Sequence, residues 1–199
     1  MSIAEKRKGL VDGVCITGGE PTIQEGIDAF FRVVKSFGLK VKLDTNGTRP
    51  RVLRALLEQG LVDYVAMDIK APPDKYPLVC GAAVDIADIE ESIGLIAGSG
   101  VEYEFRTTAA STLLDEPDFL RIGCWLGGAR LYVLQPCRPG VHLDPRFECG
   151  GPDQFKWLNT MRRALEPYFG SVEVRGAAGF RTDAGSRQAG TSSIPVEEA

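Results

Sequence analysis

Short apolar runs alternate with segments of helical period along most of this chain, and that alternation constrains the fold more than any single residue does. Gly13 to Thr17 reads as a buried strand. Ile27, Phe30, Phe31 and Val34 then recur at helical spacing, with Thr22 and Glu25 placed for a capping box and Gly38 as a stop. Val41 to Asp44 is the next strand, ending in an Asn46-Gly47 turn, and Val52, Leu53, Leu56 and Leu57 mark a second helix closed by Gly60. The unit repeats through a strand at Asp63 to Ile69, a proline-rich loop from Ala71 to Cys80, and a helix capped by Asp85 that carries Ile86, Ile89, Ile93 and Ile96. Further strands follow at Val101 to Thr107, Leu131 to Leu134 and Val172 to Val174, separated by helices at Pro117 to Leu126 and Gln154 to Tyr168. Crossovers long enough for a helix between consecutive strands predict parallel pairing, hence an α/β fold built on a twisted sheet or a barrel. Residues 1–176 read as one domain. From Ala177 to Ala199 apolar periodicity vanishes among Gly, Ala, Ser and Thr, which predicts a disordered tail.

Composition excludes several classes of function. With 44% apolar and 25% charged residues, the 199-residue chain can bury a core of its own. A net charge of −4 gives no electrostatic reason to bind nucleic acid or an anionic membrane. No apolar run approaches the roughly 20 residues of a membrane helix. The opening Met1-Ser2-Ile3-Ala4-Glu5-Lys6-Arg7-Lys8 lacks the apolar stretch of a secretory signal. Five cysteines, Cys15, Cys80, Cys124, Cys137 and Cys149, lie at wide and irregular intervals; they predict no disulfide framework and suit a reducing cytoplasm.

Residues able to do chemistry collect where the predicted strands end, the edge at which parallel α/β folds hold their ligands. Gly18-Gly19-Glu20-Pro21 follows the first strand: the glycines let backbone approach a ligand, and the proline fixes the exit. Asp44 ends the second strand, Asp68 and Lys70 close the third, Arg106 the fourth, and Gln135 with Cys137 the fifth. Two carboxylates aimed at one point from adjacent strands need a cation or a shared proton between them. The plainer reading makes Asp44 a cap of the Asn46-Gly47 turn, and Lys70 and Arg106 members of surface salt bridges.

In this order, Gly18-Gly19-Glu20-Pro21, Asp44-Thr45-Asn46-Gly47, Asp68-Ile69-Lys70 and Arg106-Thr107-Thr108 resemble the radical S-adenosylmethionine enzymes. Within these the chain is similar to the activating enzymes of glycyl radical proteins. Glu104-Phe105-Arg106-Thr107-Thr108 and Tyr132-Val133-Leu134-Gln135 favour the activator of anaerobic ribonucleoside-triphosphate reductase over that of pyruvate formate-lyase. The resemblance spans about residues 8–145. It implies a partial (β/α)₆ barrel, S-adenosylmethionine and a [4Fe–4S] cluster as cofactors, a flavodoxin or ferredoxin as reductant, and a glycyl radical enzyme as partner. By the same resemblance Gly18, Gly19 and Glu20 would meet the cofactor ammonium. Lys70 and Arg106 would hold its carboxylate and ribose, Asn46 would line the same cofactor site, and Thr108 would lie against adenine. Asp44 and Asp68, with Thr45, would be oxygen ligands of a monovalent cation.

Two departures shape what the resemblance implies. Where the formate-lyase activator has a histidine after its fifth matching strand, this chain has Cys137; its one histidine, His142, reads as a solvated loop residue. More seriously, the family's Cys-x3-Cys-x2-Cys loop occurs nowhere in the sequence. Met1 to Leu10 would be the end of the helix that follows that loop, so the expectation is a barrel lacking its first βα unit, truncated before the cluster loop. Such a chain would expose a strand edge and an apolar face, and would not perform the radical chemistry itself. Alternatives are a non-enzymatic remnant that binds a partner, an activator of another glycyl radical enzyme, and an unrelated barrel enzyme using Asp44, Asp68 and Lys70 as a metal or acid/base site.

Overall fold

In the computed structural model, which describes residues 11–137, 149, 151 and 153–176, the chain forms one six-stranded sheet. The strands are β1 (Gly13–Ile16), β2 (Lys40–Thr45), β3 (Tyr64–Asp68), β4 (Glu102–Ala109), β5 (Leu131–Pro136) and β6 (Ser171–Val174). Their spatial order is their chain order, and every neighbouring pair is parallel. Between them run α1 (Ile27–Ser36), α2 (Pro50–Glu58), a short α3 (Tyr76–Cys80), α4 (Ile86–Gly98), α5 (Glu116–Trp125) and α6 (Gln154–Leu165). Sequential parallel order with crossovers of one hand sets the helices on one face of the sheet and leaves the other face as a concave interior. Among the described residues β1 and β6 are the two edges, and the architecture is the open, partial form of a (β/α)₆ barrel.

Alternation along the strands sorts their side chains between these faces. The row facing the helices is apolar: Val41, Leu43, Val65, Met67, Phe105, Tyr132 and Leu134 are buried there with Phe31, Leu53, Leu56, Ile89, Ile96, Phe119 and Leu158 from the helices. Fully burying one such side chain is worth about 1.5–3 kcal/mol, so this layer is where the fold draws its stability. α1 turns Ile27, Phe31 and Val34 inward, but Phe30 and Val33 remain about half exposed beside the open edge.

Local differences from the sequence expectations have local causes. Thr22 and Glu25 do not form a capping box: Glu20 instead caps a 3-10 turn at Pro21–Ile23, and α1 starts from Gly26 with a left-handed backbone. The proline-rich stretch after β3 is a 3-10 turn (Pro73–Lys75) leading into α3, because prolines at the first helical positions lose no hydrogen bond. α5 begins one residue early, inside a capping box made by Asp115 and Asp118. β4 and β5 each run two residues further than their apolar runs, to Ala109 and Pro136, since the backbone ladder continues past the last apolar residue. The last helix tightens to a 3-10 turn at Glu166–Tyr168, where Pro167 stands. Cys137 and Cys149, expected as unpaired thiols, form a disulfide; their Cα atoms lie 5.4 Å apart, within bonding reach, because the chain returns to the end of β5 before α6. The expectations for Met1–Leu10, for His142 and for the tail from Ala177 lie outside the described residues.

Candidate functional site

At the end of β1 the backbone enters the left-handed region twice, at Gly18 (φ 95°) and Gly19 (φ 53°), and both residues are exposed. A Cβ on either would have no heavy atom of the described residues within 4 Å, so among these residues the two peptides front open space. Glu20 turns the other way and is buried. Its Oε1 accepts hydrogen bonds from the Thr22 amide (3.1 Å), the Thr22 hydroxyl (2.5 Å) and the Thr45 hydroxyl (2.8 Å), and its Oε2 accepts one from the Asn46 amide (2.6 Å). Glu20 is thus the joint that ties the glycine loop to the end of β2, and its charge reaches a ligand at Gly18-Gly19 only as a field.

The turn after β2 is closed by its own side chains, not by Asp44. Asn46 Oδ1 accepts from the Thr48 amide and hydroxyl, Thr45 Oγ1 from the Gly47 amide, and the Ser92 hydroxyl of α4 donates to the Gly47 carbonyl at 2.7 Å. That leaves the Asp44 carboxylate free to face the concave side, where Arg106 lies between two aspartates. Arg106 Nε donates to Asp68 Oδ1 at 2.6 Å, and its Nη1 donates to Asp44 Oδ2 at 3.1 Å. Lys70 Nζ reaches Asp68 Oδ2 at 2.8 Å. Asp44, Asp68, Lys70 and Arg106 therefore converge as the sequence implies, while Thr45 points to the opposite face. Thr108, two residues beyond Arg106 on the same row, is exposed at the mouth.

The two Arg106 bridges are not surface salt bridges, because its side chain is only 12% exposed, whereas Lys70 is 37% exposed and keeps to the surface reading. Burial works against charge at Asp68, but the Lys70 ammonium and the Arg106 guanidinium outweigh it and hold the carboxyl below its usual range. Burial likewise opposes the charge of Arg106, and Asp68 with Asp44 more than restores it. Among the described residues Asp44 Oδ1 is buried without a hydrogen bond and is ion-paired with Lys42 Nζ at 3.0 Å. The backbone that carries Asp68 and Lys70 is fixed from behind: the Tyr76 phenol sits 3.2 Å from the Lys70 amide, and the Thr107 hydroxyl donates to the Ile69 carbonyl at 2.7 Å.

A second layer lies deeper and was not foreseen. Glu104, 1% exposed, takes both Nη atoms of Arg175 at 2.8 Å and the Tyr64 hydroxyl at 2.9 Å, with Lys42 Nζ 3.9 Å away. The signal was present as period-two spacing: Lys42-x-Asp44 and Glu104-x-Arg106-x-Thr108 each set polar side chains on one face of a strand. Cys15 joins this face next to Asp44, where burial and then the Asp44 charge push its thiol pKa up.

Residues 2–118 match the Radical SAM superfamily. A protein of Methanocaldococcus jannaschii named as a glycyl-radical enzyme activating enzyme is 32% identical over 171 residues, covering 83% of this chain and 71% of that one. The chain belongs to the radical SAM superfamily. Among solved structures, a domain of pyruvate-formate lyase-activating enzyme from Bacteroides vulgatus shares the fold with a TM-score of 0.66 at 16% identity, over 82% of this chain and 99% of that one. Streptococcus suis SuiB bound to S-adenosylmethionine shares it with a TM-score of 0.59 at 13% identity, over 83% of this chain and 38% of that one. Its radical SAM membership implies S-adenosylmethionine and an iron–sulfur cluster as cofactors in general.

The residues present meet those two groups differently. Glycine backbone that is open among the described residues, an arginine held between two aspartates and a lysine beside them suit a zwitterionic nucleoside. The cysteines do not suit a cluster. Cys15 is on β1, Cys80 on α3 and Cys124 on α5, and Cys137 is bonded to Cys149. Among the described residues no three Cys, His, Asp or Glu side chains could hold a metal ion.

Proposed function

We propose that this chain is the S-adenosylmethionine-binding part of a glycyl-radical activating system, and that its partner is anaerobic ribonucleoside-triphosphate reductase. The convergence of Asp44, Asp68, Lys70 and Arg106 beside the open Gly18-Gly19 backbone carries the reading. Gly18 and Gly19 carbonyls take the ligand ammonium, with Glu20 holding their loop to β2 and adding negative field. Arg106 presents the rigid donor fork that matches a carboxylate, and Lys70 adds a second cation for that carboxylate or the ribose. Asn46 and Thr108 border the nucleoside. When Arg106 turns to the ligand, Asp44 and Asp68 are released to face a monovalent cation, with Thr45 excluded by its bond to Glu20.

We place the work in a reducing cytoplasm, where the Cys137–Cys149 bond would be open to reduction, with a flavodoxin or ferredoxin as reductant and no role for nucleic acid. Among the described residues no helix is long and apolar enough to cross a membrane. Because three converging thiolates are missing, the polypeptide as it stands binds the cofactor without cleaving it. Anaerobic reconstitution with iron and sulfide, followed by dithionite and S-adenosylmethionine, tests this. The expected result is bound S-adenosylmethionine and no 5′-deoxyadenosine above a blank; catalytic formation of 5′-deoxyadenosine would overturn it.

A further inference from the structure

The deeper charge layer has no part in the cofactor contacts proposed above, yet it adjoins Arg106. Glu104 and Arg106 stand two residues apart on one face of β4, and Arg106 Nη1 is 4.0 Å from Glu104 Oε1. Lys42 Nζ is 3.9 Å from the same oxygen and 3.0 Å from Asp44 Oδ1. Glu104 therefore competes with Asp44 for Lys42, and with Asp44 and Asp68 for Arg106. What restrains it is Arg175, which arrives just past β6, two strands away, and is anchored by its amide to the Leu134 carbonyl at 2.9 Å. Arg175 saturates Glu104 with two parallel bonds of 2.8 Å, the strongest geometry available to a carboxylate. The Tyr64 hydroxyl, also on Oε2, completes the set.

Four carboxylates (Asp44, Asp68, Glu104, Glu173) and four cations (Lys42, Lys70, Arg106, Arg175) pair in this network, so their charges balance. Local charge balance depends on each layer keeping its own partners. We infer that Arg175 is a positioning residue for Arg106: by occupying Glu104 it keeps the Arg106 guanidinium up at the mouth, between Asp44 and Asp68, where a ligand carboxylate can take it over. The inference rests on the ligand-binding reading only for its consequence; the placement of Arg106 can be read with no ligand present.

The test uses the full chain with ¹⁵N-labelled arginine, following the Arg106 Nε–Hε resonance, assigned by its loss in R106K. In the wild type this proton is hydrogen-bonded to Asp68 and should exchange slowly. R175Q should remove or shift the resonance, because Glu104 then draws Arg106 inward. R175K, which keeps the charge, should retain it, and the double variant R175Q/E104Q should restore it. S-adenosylmethionine affinity, measured by calorimetry, should fall about tenfold in R175Q and recover in the double variant. An Arg106 resonance unchanged in R175Q would overturn the inference, as would equal loss in R175Q, R175K and the double variant. Should R175Q fail to fold, R175M takes its place, with the same loss expected alone and the same restoration expected when it is combined with E104Q. Wild-type chain that binds no S-adenosylmethionine would defeat the proposed function and leave the Arg106 resonance to settle this inference separately.

Discussion

The two faces of the sheet differ in kind. Towards the helices, β2 to β5 present Val41, Leu43, Val65, Met67, Phe105, Tyr132 and Leu134, all buried. Towards the concave side the same strands present Lys42, Asp44, Tyr64, Asp68, Glu104, Arg106 and Gln135. A parallel sheet is ordinarily apolar on both faces, because both are covered. Here one face provides cohesion, and the other carries charges that contribute little net stability and are costly to unpair. The comparison teaches that stability and ligand binding should separate cleanly by strand parity.

The largest expected effect comes from the helix side. Phe105→Ala should cost about 3–5 kcal/mol in urea denaturation, from lost transfer energy and the cavity left behind. Its concave-side neighbour one position on should behave in the opposite way. Arg106→Lys keeps the charge but loses the fork, so S-adenosylmethionine affinity should drop about tenfold or more while stability changes by under about 1.5 kcal/mol. Comparable loss of stability in both variants would break the separation of faces.

A third prediction concerns Asp118, buried at the start of α5 and far from the concave face. Burial pushes its pKa up, but bonds from Lys75, the Asp115 amide and Arg121 prevail and bring it to about 2. A carboxyl depressed in the folded state stabilises fully above its unfolded value near 4 and loses that contribution as pH falls towards 2. Asp118→Asn should therefore cost about 2 kcal/mol at pH 7 and progressively less between about pH 5 and pH 2, measured by denaturation at each pH. The smallest effect is at the glycine loop. Gly19→Ala meets no neighbour and bears only the cost of a left-handed backbone, about 1–2 kcal/mol, yet it should weaken ligand binding if those peptides face the ligand.

Much of this was legible in the sequence. Strand and helix periods predict all six strands and their parallel order, because Val41-x-Leu43 and Tyr103-x-Phe105 alternate on a two-residue period and Ile86-Ile89-Ile93-Ile96 on a helical one. Asp44, Asp68, Lys70 and Arg106 were legible as a group because parallel sheets bring strand ends together. Less visible were features that depend on partners distant in sequence. Nothing local ties Glu20 to Thr45, Arg175 to Glu104 or Cys137 to Cys149; register and loop return set those distances. The expected capping box failed for a related reason, since Glu20 is drawn to β2 and shifts the helix start to Gly26.

The most direct measurement is a calorimetric titration of S-adenosylmethionine into the iron-free chain, repeated with Arg106→Lys. Saturable one-to-one binding by the wild type, weakened about tenfold or more in the variant with its urea midpoint nearly unchanged, is the predicted result. No binding by the folded wild type, or equal binding by both, would contradict the assignment of the concave face as the ligand site.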